Sequence, residues 1–216
     1  MSTPGTFITL EGGEGTGKST QILLLAKRLE TAGLTVRVLR EPGGTIVGEA
    51  VRCILLDPDH VELCVSAEIL LYEASRAQLV EQVIRPALAA GEVVLCDRFC
   101  DSTTAYQGYA RGFDLARIAE LNRAATSGLT PDRTLVLDID SAVGIARATV
   151  QSADRLESED LAFHHRVRDG FLAIAAAEPT RVRVLDASGT AEQVARRIAA
   201  ALADLPALAT WLDDAR

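Results

Sequence analysis

Residues Gly12 to Ser19 read Gly-Gly-Glu-Gly-Thr-Gly-Lys-Ser, a G-x-x-x-x-G-K-S pattern. It stands between a short apolar segment, Thr6-Phe7-Ile8-Thr9-Leu10, and a stretch carrying Ile22, Leu25, Ala26 and Leu29 at helical spacing. Strand, glycine turn and amphipathic helix in that order are the setting a phosphate-binding loop requires. The glycines let consecutive backbone N–H groups converge on phosphate oxygens. Lys18 neutralises the outer phosphates, and the Ser19 hydroxyl is a magnesium ligand. Gly12, Gly13, Glu14, Gly15, Thr16, Gly17, Lys18, Ser19 and Thr20 are therefore the expected ATP site. The chain uses arginine for nearly every cation, with Lys18 and Lys27 its only lysines, and one of the two falls on the motif's lysine position.

Four more apolar segments read as strands: Thr35 to Leu39, Glu92 to Cys96, Arg133 to Asp138 and Arg181 to Leu185. Long stretches of helical periodicity separate them, and short strands alternating with helices imply a parallel sheet covered on both faces. The expected fold is α/β, of the P-loop NTPase type, with a five-stranded parallel sheet, helices on both faces and a small lid. At 216 residues, one core and a single domain over 1–216 are expected. Gly33 and Gly91 sit where helices stop, and Pro86 predicts a kink near a helix end. Thr149 through Glu157 is polar, fits no element and lies between two helical patterns. It reads either as a solvated connection or as a movable lid, at about 147–158.

Net charge is −8 and no run of Lys or Arg exceeds two residues, so a nucleic-acid backbone is repelled over most of the surface. A small phosphorylated ligand in a local arginine pocket remains compatible. No apolar run reaches the roughly 18 residues of a membrane span, and the polar start lacks a signal-peptide pattern, so a cytoplasmic protein with no membrane partner is expected. Cys53, Cys64, Cys96 and Cys100 show no C-x-x-C pairing and are expected as free thiols. His60, His164 and His165 lack metal-ligand spacing and are expected at the surface.

The segment Val93-Val94-Leu95-Cys96 delivers Asp97 and Arg98 to the carboxyl end of the sheet, where ligands bind in open α/β folds. An aspartate there can hold a magnesium shell. Asp138, at the end of another apolar strand, competes for the role, and the adjacent Arg98, which would address a phosphate, favours Asp97. Tyr72 and Arg76 are four apart on an expected helix and share a face. The pair could hold an aromatic base, or it could be a half-buried ring beside a snorkelling arginine.

Leu10-Glu11-Gly12-Gly13-Glu14-Gly15-Thr16-Gly17-Lys18-Ser19-Thr20, then Arg40-Glu41-Pro42-Gly43-Gly44, then Asp97-Arg98-Phe99 followed by Ala105-Tyr106-Gln107-Gly108 follow one another along the chain. In order and spacing they closely resemble the thymidylate kinase family, from Phe7 to about Val194. The resemblance implies phosphorylation of dTMP to dTDP with ATP and Mg2+, a step in dTTP biosynthesis, usually by a homodimer. It implies that Glu14 approaches the 3′-hydroxyl of deoxyribose and that Arg98 contacts the acceptor phosphate. Arg52 matches the arginine that follows the Pro-Gly-Gly turn, and Tyr72 the ring that stacks on thymine, where phenylalanine is usual. Arg76 then addresses a thymine carbonyl, Thr103 and Gln107 read the remaining base edge, and the Tyr106 ring closes the space of a ribose 2′-hydroxyl. With Arg40 of the second motif, these are the expected substrate contacts, and Ser19 and Asp97 the expected metal ligands. The family divides by whether its extra basic residue lies in the loop or in the lid. This loop has none, so the resemblance implies a lid arginine, with Arg147 and Arg155 as equal candidates for the catalytic set beside Lys18 and Arg98.

A phosphate monoester acceptor has its second pKa near 6, so the attacking oxygen is mostly ionised at neutral pH without a general base. The obstacle is bringing two polyanions together, which positioning and positive charge relieve. Two other readings stay open at this point. A kinase for another nucleoside monophosphate would share most of the motifs. A P-loop ATPase or GTPase switch would share the loop, although the chain's only asparagine, Asn122, is followed by Arg-Ala-Ala, so the Asn-Lys-x-Asp guanine reader is missing.

Overall fold

The computed structural model describes residues 5–148 and 155–208. Five parallel strands, β1 (Thr6–Glu11), β2 (Val36–Arg40), β3 (Val93–Asp97), β4 (Arg133–Asp138) and β5 (Val182–Asp186), form one sheet in the order β2-β3-β1-β4-β5. Central and edge strands differ as their positions demand. Every residue of β1 is buried, whereas β2 and β5 leave several side chains exposed. Observed strands fall within a residue of those expected. β1 runs on to Glu11 because that residue still pairs with Val136.

The two-residue side-chain period sorts the core. Ile8 and Leu10, with Leu95, Leu135 and Leu137, pack against Ile22, Leu25 and Leu29 of α1 (Lys18–Thr31) and Val194 and Ile198 of α9 (Ala191–Ala201). On the opposite face Phe7, Val94 and Cys96 meet Leu79 at the end of α3 (Val65–Leu79) and the π-helical turn Val80–Ile84 that joins it to α4 (Arg85–Ala89). Val136 and Val182 meet Phe163, Val167 and Phe171 of α8 (Leu161–Ala177). The π-helical segment ends at Ile84, two residues before Pro86, where the sequence predicts a kink.

The remaining helices are α2 (Ile46–Leu56), α5 (Cys100–Thr103), α6 (Leu115–Thr126) and α7 (Ser141–Ala148), with α5 continuing into a π-helical stretch, Thr104–Ala110. Among the described residues no helix is long and apolar enough to cross a membrane. All four cysteines are free. One expectation is corrected: His164 is not at the surface but 4% exposed, edge-on to Phe163 with ring centroids 5.6 Å apart. It belongs to the inward stripe of α8, which a local pattern of two adjacent histidines does not show.

Candidate active site

Helix α1 starts without a side-chain cap, at Gly17 in the left-handed region, while α2, α6, α8 and α9 are capped by Thr45, Asp114, Asp160 and Thr190. Its first N–H groups are thereby kept for an anion. The loop before it is pressed against α7. A Cβ on Gly15, which has φ +64°, would lie 1.9 Å from the carbonyl oxygen of Gly144, and one on Gly144 would lie 2.4 Å from that of Glu14. Backbone meets backbone only because both residues are glycine. That approach brings Arg147 to the loop.

A cavity of about 500 Å³ opens at the carboxyl edge of β1 and β3. On its loop side lie Glu14, Gly15, Gly17, Lys18, Ser19 and Thr20, with Asp97, Arg98 and Arg147 beside them. Its other wall holds Arg40, Arg52, Tyr72, Arg76, Thr103, Tyr106 and Gln107. Gly12, Gly13 and Thr16 turn instead toward a smaller hollow shared with His164 and Arg168.

Lys18 donates to the carbonyls of Gly12 (3.1 Å) and Gly13 (2.8 Å), and burial, with Arg98 nearby, lowers its pKa. The Ser19 hydroxyl donates to Asp97 at 2.9 Å. Asp138, the rival for the metal role, accepts both arms of Arg168 at 2.6 and 2.8 Å. A hydroxyl and a carboxylate are hard oxygen donors suited to magnesium. Among the described residues no group of three or more His, Cys, Asp or Glu could hold a metal, so a cation here would take most of its ligands from phosphate and water.

Glu14, Arg98 and Tyr106 form a closed triangle. Arg98 and the Tyr106 hydroxyl both donate to one Glu14 oxygen at 2.5 Å, and the guanidinium carbon lies 5.1 Å from the centre of the Tyr106 ring. Burial alone would raise the Glu14 pKa, but Arg98, Lys18 and the tyrosine bond bring it down to about 2. The same carboxylate holds Arg98 firmly charged, against the opposing effect of burial.

Arg76 is 1% exposed and donates to Glu41 (2.9 Å), Glu73 (2.7 Å), Asn122 (3.0 Å) and Thr103 (3.0 Å). Burial pushes the Glu41 carboxyl up to about 7 against the facing Arg76 guanidinium, and the nearby Glu73 charge adds to the rise. Gln107 donates its amide to Glu68 at 2.7 Å. Arg40 pairs with Glu49 at 2.8 Å, and Arg52 donates to the Pro42 carbonyl at 3.0 Å.

Arg147 and Arg155, the two arginines expected to serve a lid, part here. Arg147 lines the cavity, whereas Arg155, outside its lining, is paired with Glu68 and donates to the Leu55 carbonyl at 3.0 Å. Glu68 is wholly buried and also pairs with Arg111 at 3.0 Å, and a carboxylate so placed draws in cations. Residues 149–154 of the expected lid lie outside the described residues. Sequence reasoning missed Glu11, Ser102, Asn122 and Gly144. Only Gly144 carried a signal, a glycine inside a helical pattern.

A glycine turn opening α1 at the carboxyl edge of a parallel sheet, with Lys18 and Arg98 lining a cavity of about 500 Å³ there, is the arrangement of a P-loop phosphotransferase. The thymidylate kinase family model matches residues 10–198. Thymidylate kinase of Syntrophotalea carbinolica is 51% identical over 199 residues, 89% of this chain and 92% of that protein. That of Deinococcus radiodurans is 52% identical over 201 residues, 93% and 97% of the two chains. The crystal structure of thymidylate kinase from Ehrlichia chaffeensis superposes with a TM-score of 0.76 at 35% identity, covering 93% of this chain and 99% of that one. The chain belongs to the thymidylate kinase family, and its reaction is the phosphorylation of dTMP to dTDP.

Proposed function

We propose that this chain carries out the transfer with ATP on the loop and dTMP along the opposite wall of the cavity. The observation that carries this reading is that Lys18 and Arg98 share that cavity with Tyr72, Arg76 and Gln107. An oxygen of the dTMP phosphate attacks the γ-phosphorus of ATP, the bond to the β–γ bridging oxygen breaks, and ADP leaves with that electron pair. Lys18 and Arg98 bring the two anions together, Arg98 on the acceptor phosphate, and Arg147 is the lid arginine placed to join them. Arg155 would reach the phosphates only by leaving Glu68. The lid itself is read as the segment at about 147–158 of a single kinase domain.

Thymine stacks on Tyr72. Arg76, held in place by Glu41, Glu73, Asn122 and Thr103, addresses a thymine carbonyl from this wall. Gln107, its amide nitrogen turned to Glu68, offers its carbonyl oxygen to the thymine N3–H. Arg40 and Arg52 complete the acceptor side, and Glu14 and Tyr106 meet the deoxyribose. Mg2+ fits the Ser19–Asp97 pair and, when bound, would neutralise charge on the donor phosphates. We also read the protein as a homodimer. Ile46 (90% exposed), Val47, Ala50, Cys53 and Ile54 put an apolar stripe of α2 in solvent beside exposed Leu70 of α3.

An ADP-coupled assay across nucleoside monophosphates tests the reading. ADP formation strictly dependent on dTMP is expected, with turnover reduced roughly a hundredfold or more in Lys18→Ala and Arg98→Ala. Near wild-type rates in either variant would refute the assignment of roles.

A further inference from the structure

Glu11 closes β1 and does not line the cavity. Its carboxyl is wholly buried, and the register that pairs Leu10 with Asp97 sets it beside the turn leaving β3. Both oxygens are used on that turn. The Phe99 N–H donates to Oε1 at 2.7 Å and the Ser102 hydroxyl donates to Oε2 at 2.6 Å. Between β3 and those anchors stands Arg98 at φ +70°, in the left-handed region that a residue with a Cβ seldom holds unless its surroundings impose it. The reversal carries the guanidinium back across the end of β1, where it donates to the Gly12 carbonyl at 3.1 Å and to Ser102 at 3.3 Å. Ser102 is thus shared between the brace and the arginine it supports.

We propose that Glu11 is a positioning residue for phosphoryl transfer: its two hydrogen bonds hold the left-handed Arg98 turn and so fix where that guanidinium stands over the loop. The inference rests on the reading that Arg98 serves the acceptor phosphate. A displacement of about an ångström at a charged group of this kind is felt mainly in turnover. Glutamine retains an acceptor for the Phe99 N–H and can donate to the Ser102 oxygen, so shape rather than charge is what must be kept.

The test is steady-state kinetics on Glu11→Ala, Glu11→Gln and Ser102→Ala, each alone and with Arg98→Ala, with thermal melting as the folding control. Glu11→Ala is expected to lower kcat roughly thirtyfold while KM for ATP moves less than about twofold, and Glu11→Gln to restore most of the loss. In the Arg98→Ala background the Glu11→Ala loss should shrink to within about threefold, because residues acting through one another are not additive. Should Glu11→Ala fail to fold, Ser102→Ala carries the same cycle with a smaller loss. Full additivity, or a KM effect with kcat unchanged, would overturn the proposal while leaving the role of Arg98 intact. Full activity in Arg98→Ala would overturn that role and this inference together.

Discussion

Tyr106 combines two functions that substitution can separate. Its ring, 3% exposed and packed edge-on against Phe163 and Phe171, closes one side of the cavity, while its hydroxyl anchors Glu14. Tyr106→Phe should keep the preference for dTMP over its ribonucleotide counterpart at reduced turnover, and Tyr106→Ala should erode that preference roughly tenfold, read as a ratio of kcat/KM values. Buried carboxyls also set how stability follows pH. Burial, with Asp101 adjacent, raises Glu11 to about 8, and burial raises Glu41 to about 7, both from 4.5. Such groups bind protons more tightly folded than unfolded, so the stability they confer is complete below about pH 4.5 and is lost as pH rises to 7 or 8. Glu14, lowered to about 2, acts in the opposite sense, and its share is lost as pH falls from 4.5 toward 2. Unfolding free energy should therefore decline between pH 5 and 8, at roughly 1 kcal/mol per pH unit for each raised group, and level off above, which melting temperatures across that range check. Glu11→Gln should flatten the decline, and an unchanged slope would contradict the burial argument.

Helix α7 is held on the loop by the Gly15–Gly144 contact, and Arg147 moves with it. Gly144→Ala should push the helix off by the width of a methyl group and lower kcat roughly tenfold to a hundredfold, with KM for dTMP little changed. Steady-state kinetics check this, and unchanged kcat would mean that α7 is no support for catalysis. The π-helical stretch Thr104–Ala110 plays a comparable part on the other wall by presenting Tyr106 and Gln107. No sequence signal marked it, since an i→i+5 turn arises where packing outweighs helix regularity, here between α5 and α8. The glycine turn between β1 and α1, by contrast, was readable, because a contiguous run of residues sets it.

Across the whole chain, five parallel strands bring residues from all along the sequence to one edge of the sheet. That edge is the cavity, and the opposite consequence of the same packing is the uncovered stripe on α2 and α3. If two copies meet there, light scattering will give twice the chain mass, and Ile46→Asp with Ile54→Asp will shift the particle to the monomer. A monomeric wild type at micromolar concentration would remove the homodimer reading.

Strand positions, sheet class, the glycine turn before α1 and the places of Asp97 and Arg98 at the end of β3 followed from the amino-acid order alone, because period, turn residues and a contiguous motif are local properties. Folding alone settled that Arg155 lies on Glu68 and Arg147 at the loop, that His164 is buried, and that Glu11 braces a turn 91 residues away at Ser102. A buried carboxylate must find a donor, but several arginines and hydroxyls could answer it. Which one does depends on the packing of distant elements, and no local pattern records that choice.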